Sequence, residues 1–317
     1  MKRGLLAAAG TAALAGYGWG HYRRGRKAAL EKLRAGSDIR QTACGSIEYA
    51  TAGQGAPVLV LHGILGHYDH GIISTRPLHD SFTVIAPSRP GYGRTPLATG
   101  RSAAQQADAL AALLDALEIE RVPLIVISSA GPAGLQFALR YPDRCSGLVL
   151  LSAISRPLDT PRLTLTSWMG LLVNLRHFDF GMWLAVNGVT KGLPLLRVFN
   201  PDLKRRIYDD PVGHRMFTEL VHSFFPSSIG RDGFVNDVEM FGALTDDTLA
   251  RLRVPVLVIH GAADIGFPAE QARRTADLIP GAQLVVVGRG ANHPFYVTHR
   301  AEAWPPAEAF LKQITEG

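Results

Sequence analysis

Val58-Leu59-Val60-Leu61 is an apolar run with no polar position in it. A strand of that kind is buried on both faces, which is the condition of a strand inside a parallel sheet covered by helices on either side. Similar β-rich runs recur at Ile47–Thr51, Val58–His62, Phe82–Ala86, Val122–Ile127, Gly147–Leu151, Val254–His260 and Leu284–Val287. Helical patterns lie between them. Residues 103–118 open on Ser102-x-x-Gln105, a capping-box pattern, and Gly134–Arg140, Ala269–Ile279 and Ala301–Ile314 follow, the last expected to break at Pro305-Pro306. This alternation predicts an α/β fold, a mostly parallel sheet with helices on both faces.

One stretch departs from the rhythm. Residues 155–250 contain no comparable strand and read as short helices at Leu163–Leu175, Phe180–Val189, Pro201–Asp209, His214–Phe225 and Gly233–Gly242. They carry Trp168, Met169, Leu172, Phe178, Phe180, Met182, Trp183, Phe224 and Phe225, more apolar surface than short helices bury among themselves. The expected organisation is therefore a core of residues 40–154 and 251–317, with a helical cap of residues 155–250 over an apolar cleft.

Charge singles out the N-terminus. Eight of the 33 Lys and Arg and one of the 27 acidic residues fall in residues 1–34, a net of +7, which leaves the rest at −1. A neutral body argues against a nucleic-acid partner. Lys2-Arg3, an uncharged run from Gly4 to Gly20, then Arg23-Arg24-Gly25-Arg26-Lys27 has the layout of a membrane anchor or a signal-like segment. A retained transmembrane helix, a cleaved signal and an amphipathic tail all fit. The positive-inside pattern favours membrane association with the body on the cytoplasmic side, the alternative being a periplasmic or secreted body. On this reading the body needs nothing from residues 1–34 for its core. Cys44 and Cys145 allow at most one bridge.

The chemistry concentrates where strands end. After Val122–Ile127 comes Ser128-Ser129-Ala130-Gly131, leading into a helix. A nucleophile on a strand–turn–helix elbow needs small residues two before and two after it. Ser129 as nucleophile has Gly131 after it and Ile127 before it; Ser128 would have Ala130 and Val126, a poorer fit. Upstream, His62-Gly63-Ile64-Leu65-Gly66 can turn backbone N–H groups toward a cavity, so Ile64 and Ala130 are the expected oxyanion donors. Downstream, Gly261-Ala262-Ala263-Asp264 and Gly288-Arg289-Gly290-Ala291-Asn292-His293 each follow a strand. His67, Asp69 and His70 match no compact zinc spacing and read as the rim of a pocket, so no metal is expected.

In these residues the chain resembles the α/β-hydrolase superfamily, over about residues 40–315. His62-Gly63 is similar to the family's His-Gly turn, and Ser88-Arg89-Pro90-Gly91-Tyr92-Gly93-Arg94 to its Gly-x-Gly-x-Ser/Thr loop. The order Ser, Asp, His is that of the family's triad. The resemblance implies Ser129 as nucleophile, Asp264 as the acid and His293 as the base, with Asp159 the fallback acid. It implies a cofactor-independent serine hydrolase that cleaves an ester-type bond in an apolar small molecule through an acyl-enzyme. Ile127 in place of a small residue leaves a scaffold on a disabled hydrolase fold as the alternative, beside carbon–carbon bond hydrolysis and acyl transfer by the same triad.

Overall fold

The computed structural model describes residues 2–156, 179–190, 206–207, 210–241 and 244–316, with side chains from Gly16 onward. Expected helices Leu163–Leu175 and most of Pro201–Asp209, and Asp159, lie outside the described residues. Eight strands form one sheet: β1 (Asp38–Thr42), β2 (Gly45–Gly53), β3 (Ala56–Leu61), β4 (Phe82–Pro87), β5 (Val122–Ile127), β6 (Cys145–Leu151), β7 (Val256–Gly261) and β8 (Gln283–Val287). Their order is β1-β2-β4-β3-β5-β6-β7-β8. The pairs β1–β2 and β2–β4 are antiparallel. Every other pair is parallel.

The apolar runs form the centre because both of their faces are covered. Val58, Val60, Ile125, Ile127, Val149, Leu151, Leu257 and Ile259 point to one layer of the core. Leu59, Leu61, Leu124, Val126, Leu148, Leu150, Val256 and Val258 point to the other. Helix α2 (Tyr68–Ser74) lies between β3 and β4 in sequence, and helices α3 (Ala103–Ala116), α4 (Gly131–Arg140) and, later in the chain, Ala269–Leu278 cover the second layer. The Ser102 hydroxyl accepts from the Gln105 N–H at 3.2 Å and Gln105 returns the bond, the capping box read in the sequence. Helix Arg300–Glu316 covers the first layer and runs through Pro305 and Pro306 without a break. Burial of Trp304, Ala307, Phe310 and Leu311 against the sheet, and a bond from Trp304 Nε1 to the Tyr296 carbonyl, hold it across the prolines.

Cap helices α5 (Asp179–Thr190), α6 (Pro211–His222) and α7 (Arg231–Met240) lie between β6 and β7 in sequence. Their apolar residues Met182, Val186, Met216, Phe217, Leu220 and Phe234 join the first core layer.

From Tyr22 onward the N-terminal segment packs on the body. Helix α1 (Lys2–Ala35) lays Tyr22, Arg26, Ala29 and Leu33, one residue per turn, along the body. Tyr22 is buried in the first core layer, its ring 5.3 Å from Phe180 and 6.3 Å from Phe225. Arg26 donates to Asp179 at 2.6 Å. Leu33 is buried with Ala50 and Tyr68, and Tyr68 donates its hydroxyl to the Leu33 carbonyl at 2.8 Å. The expectation that the body needs nothing from this segment is thus corrected: burying side chains such as Tyr22 and Leu33 is worth roughly 1.5–3 kcal/mol each. Among the described residues no helix is long and apolar enough to cross a membrane.

Candidate active site

Strand β5 ends at Ile127, and Ser128 follows with φ +52°, a left-handed conformation costly for a residue with a Cβ. That twist turns the Ser128 side chain out at the carboxyl end of the sheet before α4 begins. His293, on the loop after β8, places Nε2 3.0 Å from Ser128 Oγ. Its Nδ1 lies 2.7 Å from Asp264 Oδ2, at the end of β7. Asp264 Oδ1 accepts from the N–H groups of Gly266 and Phe267, both at 3.0 Å. Burial alone would raise the Asp264 carboxyl, but His293 and the Phe267 N–H outweigh it and hold it below the ordinary carboxylate range. The carboxylate therefore fixes the imidazole with Nδ1–H toward itself and Nε2 free to accept the serine proton.

The structure brings Asp264 and His293 together as expected, but with Ser128 in place of Ser129. Ser129 is 1% exposed, and the His293 Nε2 bond goes to Ser128, not to its hydroxyl. The Ser129 hydroxyl donates to Asp237 Oδ2 at 2.8 Å and accepts from Arg89 Nη2 at 3.0 Å. The left-handed φ decides which serine occupies the apex, and no residue-type pattern encodes it. Gly131, which had favoured Ser129, is small for another reason: a Cβ there would fall 1.7 Å from the Ile154 carbonyl oxygen.

The small residue missing before the elbow has moved elsewhere. With Ser128 at the apex, the position two before it is Val126 and the position two after is Ala130. A Cβ on Gly134, in α4, would lie 2.4 Å from Val126 Cγ2. Room usually supplied by a glycine in the strand is here supplied by a glycine in the helix. Ile127 sits directly before Ser128, fully buried in the first core layer. Gly134→Ala is expected to cost about 1–3 kcal/mol of stability by overpacking. Val126→Ala should recover most of that loss in the double variant. Urea unfolding of the four proteins measures the coupling; additive losses would show that the two sites do not share this space.

Attack by Ser128 would bring the N–H that follows it, that of Ser129 rather than Ala130, beside a developing oxyanion, with Ile64 the other donor expected from the sequence. Both residues line the cavity above the triad, whereas Ala130 is buried in the opposite core layer. Gly63 lets the turn close on the elbow, since a Cβ there would come 3.0 Å from Ser128 Cβ.

Arg89, which the sequence marks only as part of the Ser88–Arg94 loop, joins these two loops. Its Nε donates to the His62 carbonyl at 2.9 Å and its Nη2 to Ser129. Its Nη1 and Nη2 hold Asp237 Oδ1 and Oδ2 at 2.7 and 2.5 Å. Tyr92 donates to Asp237 at 2.7 Å. Burial would lower the Arg89 guanidinium, but Asp237 more than offsets it and raises it. His62 is fixed as a neutral ring: the Arg89 N–H donates to Nε2 at 3.0 Å, so Nδ1–H donates to the Gly63 carbonyl at 2.8 Å. Its burial, with Arg89 nearby, keeps it well below the ordinary histidine range.

Above the triad lies a cavity of about 310 Å³. Its floor is Ser128, Ser129, Ile64 and His293; its roof is cap residues Val189, Phe217, Leu220, Val221, Phe224 and Phe241. Among the described residues no Asp, Glu, Lys or Arg lines it. His70, the one rim histidine that reaches it, is kept neutral by burial, its pKa lowered to about 3. Among the described residues no group of His, Cys, Asp or Glu could hold a metal ion.

The family model for the alpha/beta hydrolase fold matches residues 56–299. The chain belongs to this family. An uncharacterized hydrolase of Bacillus subtilis, YcgS, is 28% identical over 247 residues, 77% of this chain and 87% of that protein. A 2-hydroxy-6-oxo-2,4-heptadienoate hydrolase of Pseudomonas putida is 28% identical over 75% of this chain and 82% of its own. A solved alpha/beta hydrolase fold protein from Nakamurella multipartita superposes with a TM-score of 0.70 at 29% identity, covering 88% of this chain and 98% of that one. The eight-stranded, mostly parallel sheet with helices on both faces agrees with the α/β-hydrolase fold expected from the sequence.

Proposed function

We propose that this alpha/beta hydrolase cleaves a neutral, apolar carboxylic ester through an acyl-enzyme on Ser128, without a cofactor. The observation that carries the proposal is the Ser128–His293–Asp264 hydrogen-bond chain at the floor of a cavity with no charged lining among the described residues. As Ser128 Oγ attacks the carbonyl carbon, His293 Nε2 takes its proton and the oxyanion is met by the N–H groups of Ile64 and Ser129. Collapse expels the alcohol, which leaves with that proton. Water then gives a proton to His293 and attacks the acyl carbon; the acid departs and Ser128 recovers its hydrogen.

The Pseudomonas putida relative is named for a dienoate, an anionic substrate. Binding a carboxylate in an apolar cavity that has no cation among its described lining residues costs several kcal/mol, which favours a neutral ester here. Two measurements test the reading. A fluorophosphonate probe is expected to label the protein, with the adduct mapped by peptide mass spectrometry to Ser128. A series of p-nitrophenyl esters should show kcat/KM rising with acyl length until the cavity is filled. Absence of labelling would favour the scaffold alternative. Turnover confined to anionic dienone substrates would replace ester cleavage with carbon–carbon bond hydrolysis.

A further inference from the structure

We propose that the exposed face of α1, with the outer side of the cap, docks on an anionic lipid bilayer and holds the catalytic cavity against it. Only the substrate half of this idea, delivery of an apolar ester from the lipid phase, rests on the reading above.

Three observations converge. The first is charge. Arg23, Arg24, Lys27, Lys32 and Arg34 are exposed on α1, and Glu31 is the helix's one acid. Arg26 is paired with Asp179, and Lys27 lies 3.8 Å from Glu31. Among the described residues no carboxylate reaches salt-bridge distance of Arg23, Arg24 or Arg34, so their charge is available to lipid headgroups.

The second is the aromatic pair just before that basic cluster. Tyr17 and Trp19 are 66% and 52% exposed although their neighbour Tyr22 is buried. Half-exposed Tyr and Trp at the end of an uncharged run, here Gly4–Gly20, just ahead of a basic cluster suit the boundary of a bilayer, with rings at headgroup level. Trp19 lies 5.8 Å from Phe180 of α5, and one turn along that helix Leu184 is 52% exposed. The apolar surface thus continues from α1 onto the cap.

The third is the rigid link to the cavity. Tyr22 packs on Trp183 and Phe225. The adjacent Phe224 lines the cavity, as does Val189 at the far end of α5. One layer of cap side chains therefore separates α1 from the substrate space. Arg26–Asp179 and Tyr68–Leu33 fix the helix to the body at two further points. A membrane bound through α1 would meet the protein in one orientation, cap side toward the lipid.

The test uses the full-length chain and vesicles of phosphatidylcholine with or without about one-third phosphatidylglycerol. Wild type is expected to co-sediment with the anionic vesicles, and the triple variant Arg23→Gln/Arg24→Gln/Arg34→Gln to partition on the order of 100-fold less, about fivefold per charge removed. Brominated lipid should quench tryptophan emission in wild type and markedly less in Trp19→Phe. Hydrolysis of a dissolved short-chain ester should be the same in all three proteins, while hydrolysis of a long-chain ester carried in anionic vesicles falls in the triple variant. Sedimentation unaffected by the triple variant, or quenching unaffected by Trp19→Phe, would overturn the docking face. Vesicle binding as expected with no ester hydrolysed in either phase would leave the docking face standing and remove the ester reading alone.

Discussion

Alanine at position 128 is expected to lower kcat by about 10³–10⁶, while alanine at position 129 lowers it by only about tenfold. Ser128→Ala removes the atom 3.0 Å from His293 Nε2 and leaves the base nothing to deprotonate. Ser129→Ala removes a hydroxyl but keeps the backbone N–H that meets the oxyanion, and Arg89 and Asp237 remain paired with each other. Fluorophosphonate labelling should vanish in the first variant and persist in the second. Burst kinetics with a p-nitrophenyl ester would put a number on each loss. The reverse pattern, activity lost at 129 and retained at 128, would mean that the elbow turns one residue later, at Ser129.

The two serines show what a sequence can and cannot carry. Strand β5 was legible to the residue, because Val122–Ile127 is buried on both faces and a continuous apolar run has few other uses. Asp264 and His293 were legible because each follows a strand in the right order. The apex was not, because it depends on one backbone dihedral, and the compensating glycine at Gly134 lies eight residues beyond the valine it accommodates. Strand β1 escaped the pattern since Asp38-Ile39-Arg40-Gln41-Thr42 sits at the sheet edge, largely exposed, with no apolar face to repeat. The role of α1 was partly hidden by its charge. Tyr22, Arg26, Ala29 and Leu33 recur at helical spacing, a stripe visible in the sequence, but the basic cluster beside it is equally the mark of an anchor, a cleaved signal or an amphipathic tail. Asp237 had no local signal. It lies 108 residues from Ser129 on a cap helix, and only the fold brings them together.

Asp237→Ala is expected to destabilise the protein by about 3–5 kcal/mol, because it leaves the Arg89 guanidinium buried at 2% exposure without its counter-charge. The same change should depress kcat, since Arg89 ties the His62-Gly63-Ile64 turn to the Ser128-Ser129 elbow and so spaces the two oxyanion donors. Stability and positioning can be separated with Arg89→Met/Asp237→Leu. A buried ion pair exchanged for apolar groups of similar size is often neutral in stability, so this double variant should unfold near the wild-type urea midpoint. It lacks the bonds to the His62 carbonyl and to Ser129, and its kcat should therefore stay low while KM changes little, the mark of an interaction realised in the transition state. Recovery of both stability and kcat would reduce the quartet of Arg89, Tyr92, Ser129 and Asp237 to packing. Recovery of stability alone would assign Arg89 the spacing of the oxyanion hole, with Asp237 holding the arginine in place to do it.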